Sequence, residues 1–177
     1  MEIRRATGRA GLLDDEQVLG VVEYIYGLHF ELSCLLAEMV RYGASLRANL
    51  YARLIILTVY EATKEMKGLL AGDFRDRITR VTRGPEIGEA LKAIHSSAVK
   101  LFDRCNAKFG AVRHGAAAHR PVDPETRIKL VQQADIEKVA KLTIEMQKVI
   151  SQLTRQFNSY GADLMERLVS ARAWIRQ

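Results

Sequence analysis

Apolar residues recur at intervals of three and four through four long stretches of this 177-residue chain, and only an α-helix gathers that spacing on one side. In the first stretch the series is Val18, Val22, Ile25, His29, Leu32, Leu36 and Met39. Asp14 and Asp15 suit the cap and the positive end of its dipole, and Gly43 stands where it would stop after Arg41 and Tyr42. Ser45 can cap a second helix running to about Leu70, with Leu46, Leu50, Leu54, Leu57 and Glu61 on one face. Pro85 fits the first turn of a third, whose apolar side is Ile87, Leu91, Ile94, Ala98, Leu101 and Phe102. That helix should reach Ala118 to Arg120, because Pro121 and Pro124 cannot continue it.

A fourth helix is expected from about Asp135, carrying Val139, Leu142, Met146, Val149, Leu153, Tyr160, Leu164, Leu168, Ala171 and Ile175 in a coiled-coil-like seam. Some forty residues at 1.5 Å each would span ~60 Å. Either Gly161 breaks the helix, or part of the seam packs on another subunit. The expectation is an all-α protein: an up-and-down four- to five-helix bundle with a long C-terminal helix, one domain over residues 1–177, with 1–12 flexible. Only 7% of residues are aromatic and three are proline, so the composition favours helices over strands.

Between Ala71 and Gly84 the periodicity lapses in a basic loop holding Arg75, Arg77, Arg80 and Arg83, diluted by Asp73 and Asp76. It is either a surface that tracks phosphates or a solvated loop. No secretory signal and no run of ~18 apolar residues is seen, so a cytoplasmic protein without a membrane span is expected. Cys34 and Cys105 lack paired spacing and are expected to be buried reduced thiols. The four histidines show no HExxH-like arrangement, so no metal or other cofactor is expected. A net charge of +6 and a pI near 9.5 are compatible with a polyanionic partner.

The concentrated chemistry lies in Val112-Arg113-His114-Gly115-Ala116-Ala117-Ala118-His119-Arg120. Imidazole titrates nearest neutrality and can take or give a proton, while the guanidinium fork suits a phosphate. Together they suit phosphodiester cleavage: a base for the ribose 2′-hydroxyl, a cation for the phosphorane and an acid for the leaving oxygen.

The segment resembles the motif of the HEPN superfamily: Arg, then four to six residues, then His, often with Asn, Asp or His directly after the Arg. Arg113, His114 and His119 match it, and Ala118-His119-Arg120 with the helix past Asp135 is similar to the abortive-infection-related branch. The resemblance implies a homodimer whose two motifs meet in a cleft and, in active members, a metal-independent endoribonuclease. His119 would act as base or acid and Arg113 would bind the scissile phosphate, with Arg120 beside them. The role implied is a toxin or defence effector, with RNA as substrate and an antitoxin as partner; some members have lost catalysis.

Other readings stand beside these. His114 and His119 could cap carbonyls at the end of the third helix. His29 is expected in the core and His95 on the surface. Glu61, placed inward by its row, could orient Arg113 or His119 or pair with Arg53. The whole chain could instead be a non-catalytic helical module for binding or oligomerisation.

Overall fold

In the computed structural model, the described residues are 13–72, 75–76, 78–79, 85–117 and 135–175, with side chains over 18–72, 75, 76, 78, 79, 86–110, 135–158 and 160–162. Four helices account for most of them: α1 (Leu13–Tyr42), α2 (Leu46–Leu69), α3 (Pro85–Ala117) and α4 (Ile136–Ile175). Residues 1–12, expected to be flexible, lie outside the described set.

The helix ends follow local chemistry. Gly43 adopts φ +58° after α1, a left-handed conformation that costs glycine nothing. Ser45 caps α2, its hydroxyl accepting from the Ala48 amide at 3.3 Å. Asp135 caps α4: Oδ1 accepts from the Lys138 amide at 3.1 Å, and Oδ2 lies 2.9 Å from Lys138 Nζ. The Lys138 side chain first, and its amide second, hold the Asp135 carboxyl below the usual carboxylate range.

A depressed folded-state pKa adds stability above the unfolded value of ~3.9, and that stability is lost as pH falls through the folded value. Asp135→Asn keeps the cap acceptor and removes the charge. The wild type should therefore exceed this variant in urea-unfolding stability at pH 7, and the two should converge in acid. A gap that widens toward low pH would contradict this account.

The helices run up and down in a ring. Tyr26 donates to Asn158 at 2.9 Å and Gln147 to Ser33 at 3.2 Å between α1 and α4. The pairs His95–Lys67, Phe102–Tyr60 and Cys105–Ile56 set α3 antiparallel to α2, and α4, antiparallel to α1 by the two pairs above, meets α3 through Arg104–Glu145. Leu32, Met39, Ile55, Ile56, Leu91, Ala98, Met146 and Leu153 fill the middle with no exposed surface. The buried hydroxyls are satisfied, Thr63 donating to the Val59 carbonyl and Thr143 to that of Val139, each at 2.8 Å.

Several expected faces are corrected. On α2 the row Leu46, Leu50 and Leu54 points outward, with 61%, 48% and 47% of its surface exposed. The inward face is Ala48, Ala52, Ile55, Ile56, Val59, Ala62, Thr63 and Met66. Both faces of this helix carry apolar residues over 46–60, and the alanines of the inward one permit a closer helix approach than leucines would. His29 is exposed, since Leu28 one residue earlier takes the core position. His95 is half-buried, its Nε2 3.2 Å from the Lys67 carbonyl oxygen. Cys105 is buried as expected, whereas Cys34 is exposed on the outer side of α1.

Gly161 does not break α4, which continues through it for 40 residues. The seam from Val139 to Tyr160 is spent within the chain, with Val139, Leu142, Met146, Val149, Leu153 and Tyr160 all buried. Residues 18–42 are long and apolar enough to cross a membrane by length and composition, with mean hydropathy 1.3 and 22% of the most apolar window buried. Glu23, Glu31 and Glu38 interrupt that run, and here the helix packs against α2 and α4.

Candidate functional site

Positions 113 and 114 fall in the last two turns of α3, which ends at Ala117. The side chains of Arg113 and His114 lie outside the described residues, as do His119 and Arg120 entirely. What the fold supplies is the neighbourhood of that helix end. Continuing the α2–α3 register to residue 113 reaches Ala48 and Asn49 in the first turns of α2. Continuing the α3–α4 register reaches the first turn of α4, at Ile136. One end of the bundle thus joins the C-termini of α1 and α3 to the N-termini of α2 and α4.

Two helix N-termini, capped by Ser45 and Asp135, bring the positive ends of their dipoles here, and the C-termini of α1 and α3 bring the negative ends of theirs. The α1–α2 corner adds a cluster that sequence reasoning missed. The guanidinium carbons of Arg41 and Arg47 lie 5.9 and 5.2 Å from the centroid of the Tyr42 ring. Tyr42 stacks on Tyr51 with centroids 5.9 Å apart and planes 5° from parallel. Arg41 also meets Glu38 at 3.5 Å. A usable signal was present: from residue 39 to residue 60 the chain has no acidic residue but has Arg41, Arg47 and Arg53. Arg41 and Arg47 thus bring two cations to this end of the bundle.

Glu61 does not belong to it. Its side chain is 58% exposed and pairs with Lys64 at 3.7 Å, not with Arg53. It stands some three turns along α2 from the register of residue 113, ~18 Å away, out of reach of that position. The carboxylates here act on the α1–α2 seam instead. Burial first, then the hydrogen bond to Glu65 and the charges of Glu65, Glu31 and Glu61, push the Tyr24 phenol well above its usual range.

The basic loop is also revised. Residues 75–76 and 78–79 are helical, and Ile78 anchors the segment in the core with 1% exposure. Thr79 donates to the Arg75 carbonyl at 2.9 Å, and the Arg75 side chain, only 24% exposed, meets Asp76 at 3.8 Å. Arg75 is therefore part of a packed turn, while Arg77, Arg80 and Arg83 lie outside the described residues. Among the described residues no cluster of three or more His, Cys, Asp or Glu side chains could hold a metal ion.

No family model matches the sequence, and neither a curated protein nor a solved structure is detectably similar to it. The resemblance to the HEPN motif therefore rests on the sequence residues Arg113, His114 and His119.

Proposed function

We propose that the protein is a HEPN-like, metal-independent endoribonuclease acting as a homodimer, in the manner of a toxin or defence effector held by an antitoxin. The observation that supports this reading is that positions 113 and 114 lie on the last turns of α3, at the end of the bundle that also holds Arg41 and Arg47. His119 takes the proton of a ribose 2′-hydroxyl or returns one to the departing 5′-oxygen, and Arg113 holds the phosphate. The attack of the 2′-oxygen on phosphorus releases the 5′-hydroxyl fragment and leaves a 2′,3′-cyclic phosphate.

Purified protein incubated with mixed RNA in EDTA should produce fragments ending in 2′,3′-cyclic phosphate. Intact RNA at high protein concentration would remove the assignment, and cleavage abolished by EDTA would remove its metal-independence.

The exposed row Leu46, Leu50 and Leu54 favours a second reading, a non-catalytic module that associates through this face. NMR titration separates the two. A His119 resonance whose pKa is unmoved by a short RNA, with no shift at Arg113, supports the module.

A further inference from the structure

We propose that the groove between α3 and α4 is a track for the phosphate backbone of single-stranded RNA, leading to the end of the bundle that holds Arg113. The proposal rests on the ribonuclease reading only for the identity of the polyanion. The groove has a volume of about 250 Å³; Leu101 and Val149 form its floor, and Ser97, Lys100, Arg104, Glu145, Lys148 and Gln152 its walls. Arg104 donates to Glu145 at 2.6 Å, which occupies the one carboxylate in the walls. Lys100 and Lys148 have no ion-pair partner among the described residues, nor has Lys108 one turn further along α3.

On α3 the cations at 100, 104 and 108 are spaced by four, so they stand in one row along the helix. Like charges in such a row repel, and an anion laid along them relieves the repulsion. A lone phosphate would ask for donors converging on a point. Here the cations are strung along the helix, as a polymer of phosphates requires. The groove runs along the seam of two packed helices, a course that a single phosphate backbone can follow. Beyond the groove, the register that pairs Arg104 with Glu145 sets Lys108 level with Lys141, itself paired with Glu137, and leads on toward positions 113 and 136. From Ser97 to Arg113 the path is ~24 Å of helix. RNA lying in it would enter the proposed site from one direction.

Binding is measured on full-length His119→Ala protein by fluorescence anisotropy, with a short labelled oligoribonucleotide over a salt series, so that the readout does not depend on cleavage. Adding Lys100→Gln and Lys148→Gln should weaken binding about tenfold and lower the slope of log K against log salt by ~1.4, at ~0.7 per phosphate contact on a single strand. Lys64→Gln, on the outer side of α2, should change neither. The substituted lysines are exposed, and unchanged melting curves confirm that folding is intact. An unmoved slope overturns the track, as does polyglutamate displacing the RNA at equal charge. If the slope moves as expected while the wild type cleaves no RNA, the track stands and the ribonuclease reading falls.

Discussion

Replacing His119 by alanine is expected to slow RNA cleavage by about 10²- to 10⁴-fold, the range associated with losing a positioned proton-transfer group. Arg113→Ala should cost about 10²- to 10³-fold, as the loss of one donor to a developing oxyanion does. Because both act on one phosphate, the double variant should fall well short of the product of the two losses. His95→Ala is the matched control. Its ring meets the Lys67 carbonyl on the α2–α3 seam, and it precedes Arg113 by five turns of the same helix, ~27 Å. Single-turnover cleavage of end-labelled RNA gives the rates. Equal rates for wild type and His119→Ala, or a loss in His95→Ala as large as in His119→Ala, would sink the assignment of roles.

Helix boundaries were legible because each is fixed by a few adjacent residues. Ser45 and Asp135 supply acceptors to the first turn, Gly43 takes the left-handed corner, and Pro85 needs no donor at the start of α3. The buried face of α2 was not legible, since Leu46, Leu50 and Leu54 and the Ala48, Ala52, Ile55 and Val59 side satisfy the same period. The choice between them is made by how closely α2 can approach its neighbours. The charged end of the leucine row, Glu61 with Lys64, was the one local sign that it faces water.

The site shows the same division. Arg113, His114 and His119 are contiguous enough to be found as a motif. Arg41 and Arg47 lie more than sixty positions away, and the antiparallel register of α2 on α3 brings them to the same end. The α3–α4 groove is likewise a product of register, because neither lysine row has meaning until Arg104 is set against Glu145. Gly161 misled for a different reason. A glycine inside a helix costs ~1 kcal/mol, which the buried side chains of Phe157 and Tyr160 on the same helix readily offset.

Leu50→Arg is expected to dissociate the dimer and, with it, to abolish cleavage. One motif alone makes a poor site: six residues along a continuous helix turn through ~600°, so positions 113 and 119 would stand ~120° apart around the axis. Unwinding beyond Ala117 could bring them together within one chain, and the variant distinguishes the two cases. Three features say where the proposed partner copy would sit. The α4 seam from Val139 to Tyr160 is buried within the chain and is not free to form the interface. The outward row Leu46, Leu50 and Leu54 is exposed and apolar, and it begins beside the register of residue 113. Gly115, Ala116 and Ala117 end α3 at the same place with no bulk to hold two backbones apart.

In the proposed homodimer, a two-fold axis through this end would cover both leucine rows and would set Arg113 of one chain near His119 of the other. An unpaired charge buried there costs ~3–5 kcal/mol, enough to raise the dimer Kd by about 10²- to 4 × 10³-fold. Leu50 is 48% exposed in the single chain, so folding should be spared, and circular dichroism should show an unchanged helix content. Ala117→Arg and Ala116→Glu should dissociate it in the same way. Light scattering should give twice the 19.9 kDa chain mass for the wild type and the chain mass for Leu50→Arg. Mixing His119→Ala with Arg113→Ala protein should restore part of the activity through hybrid sites, and adding Leu50→Arg to both should prevent it. A wild type that scatters as a monomer at micromolar concentration refutes the shared site. A dimer that survives all three substitutions places the interface on another face.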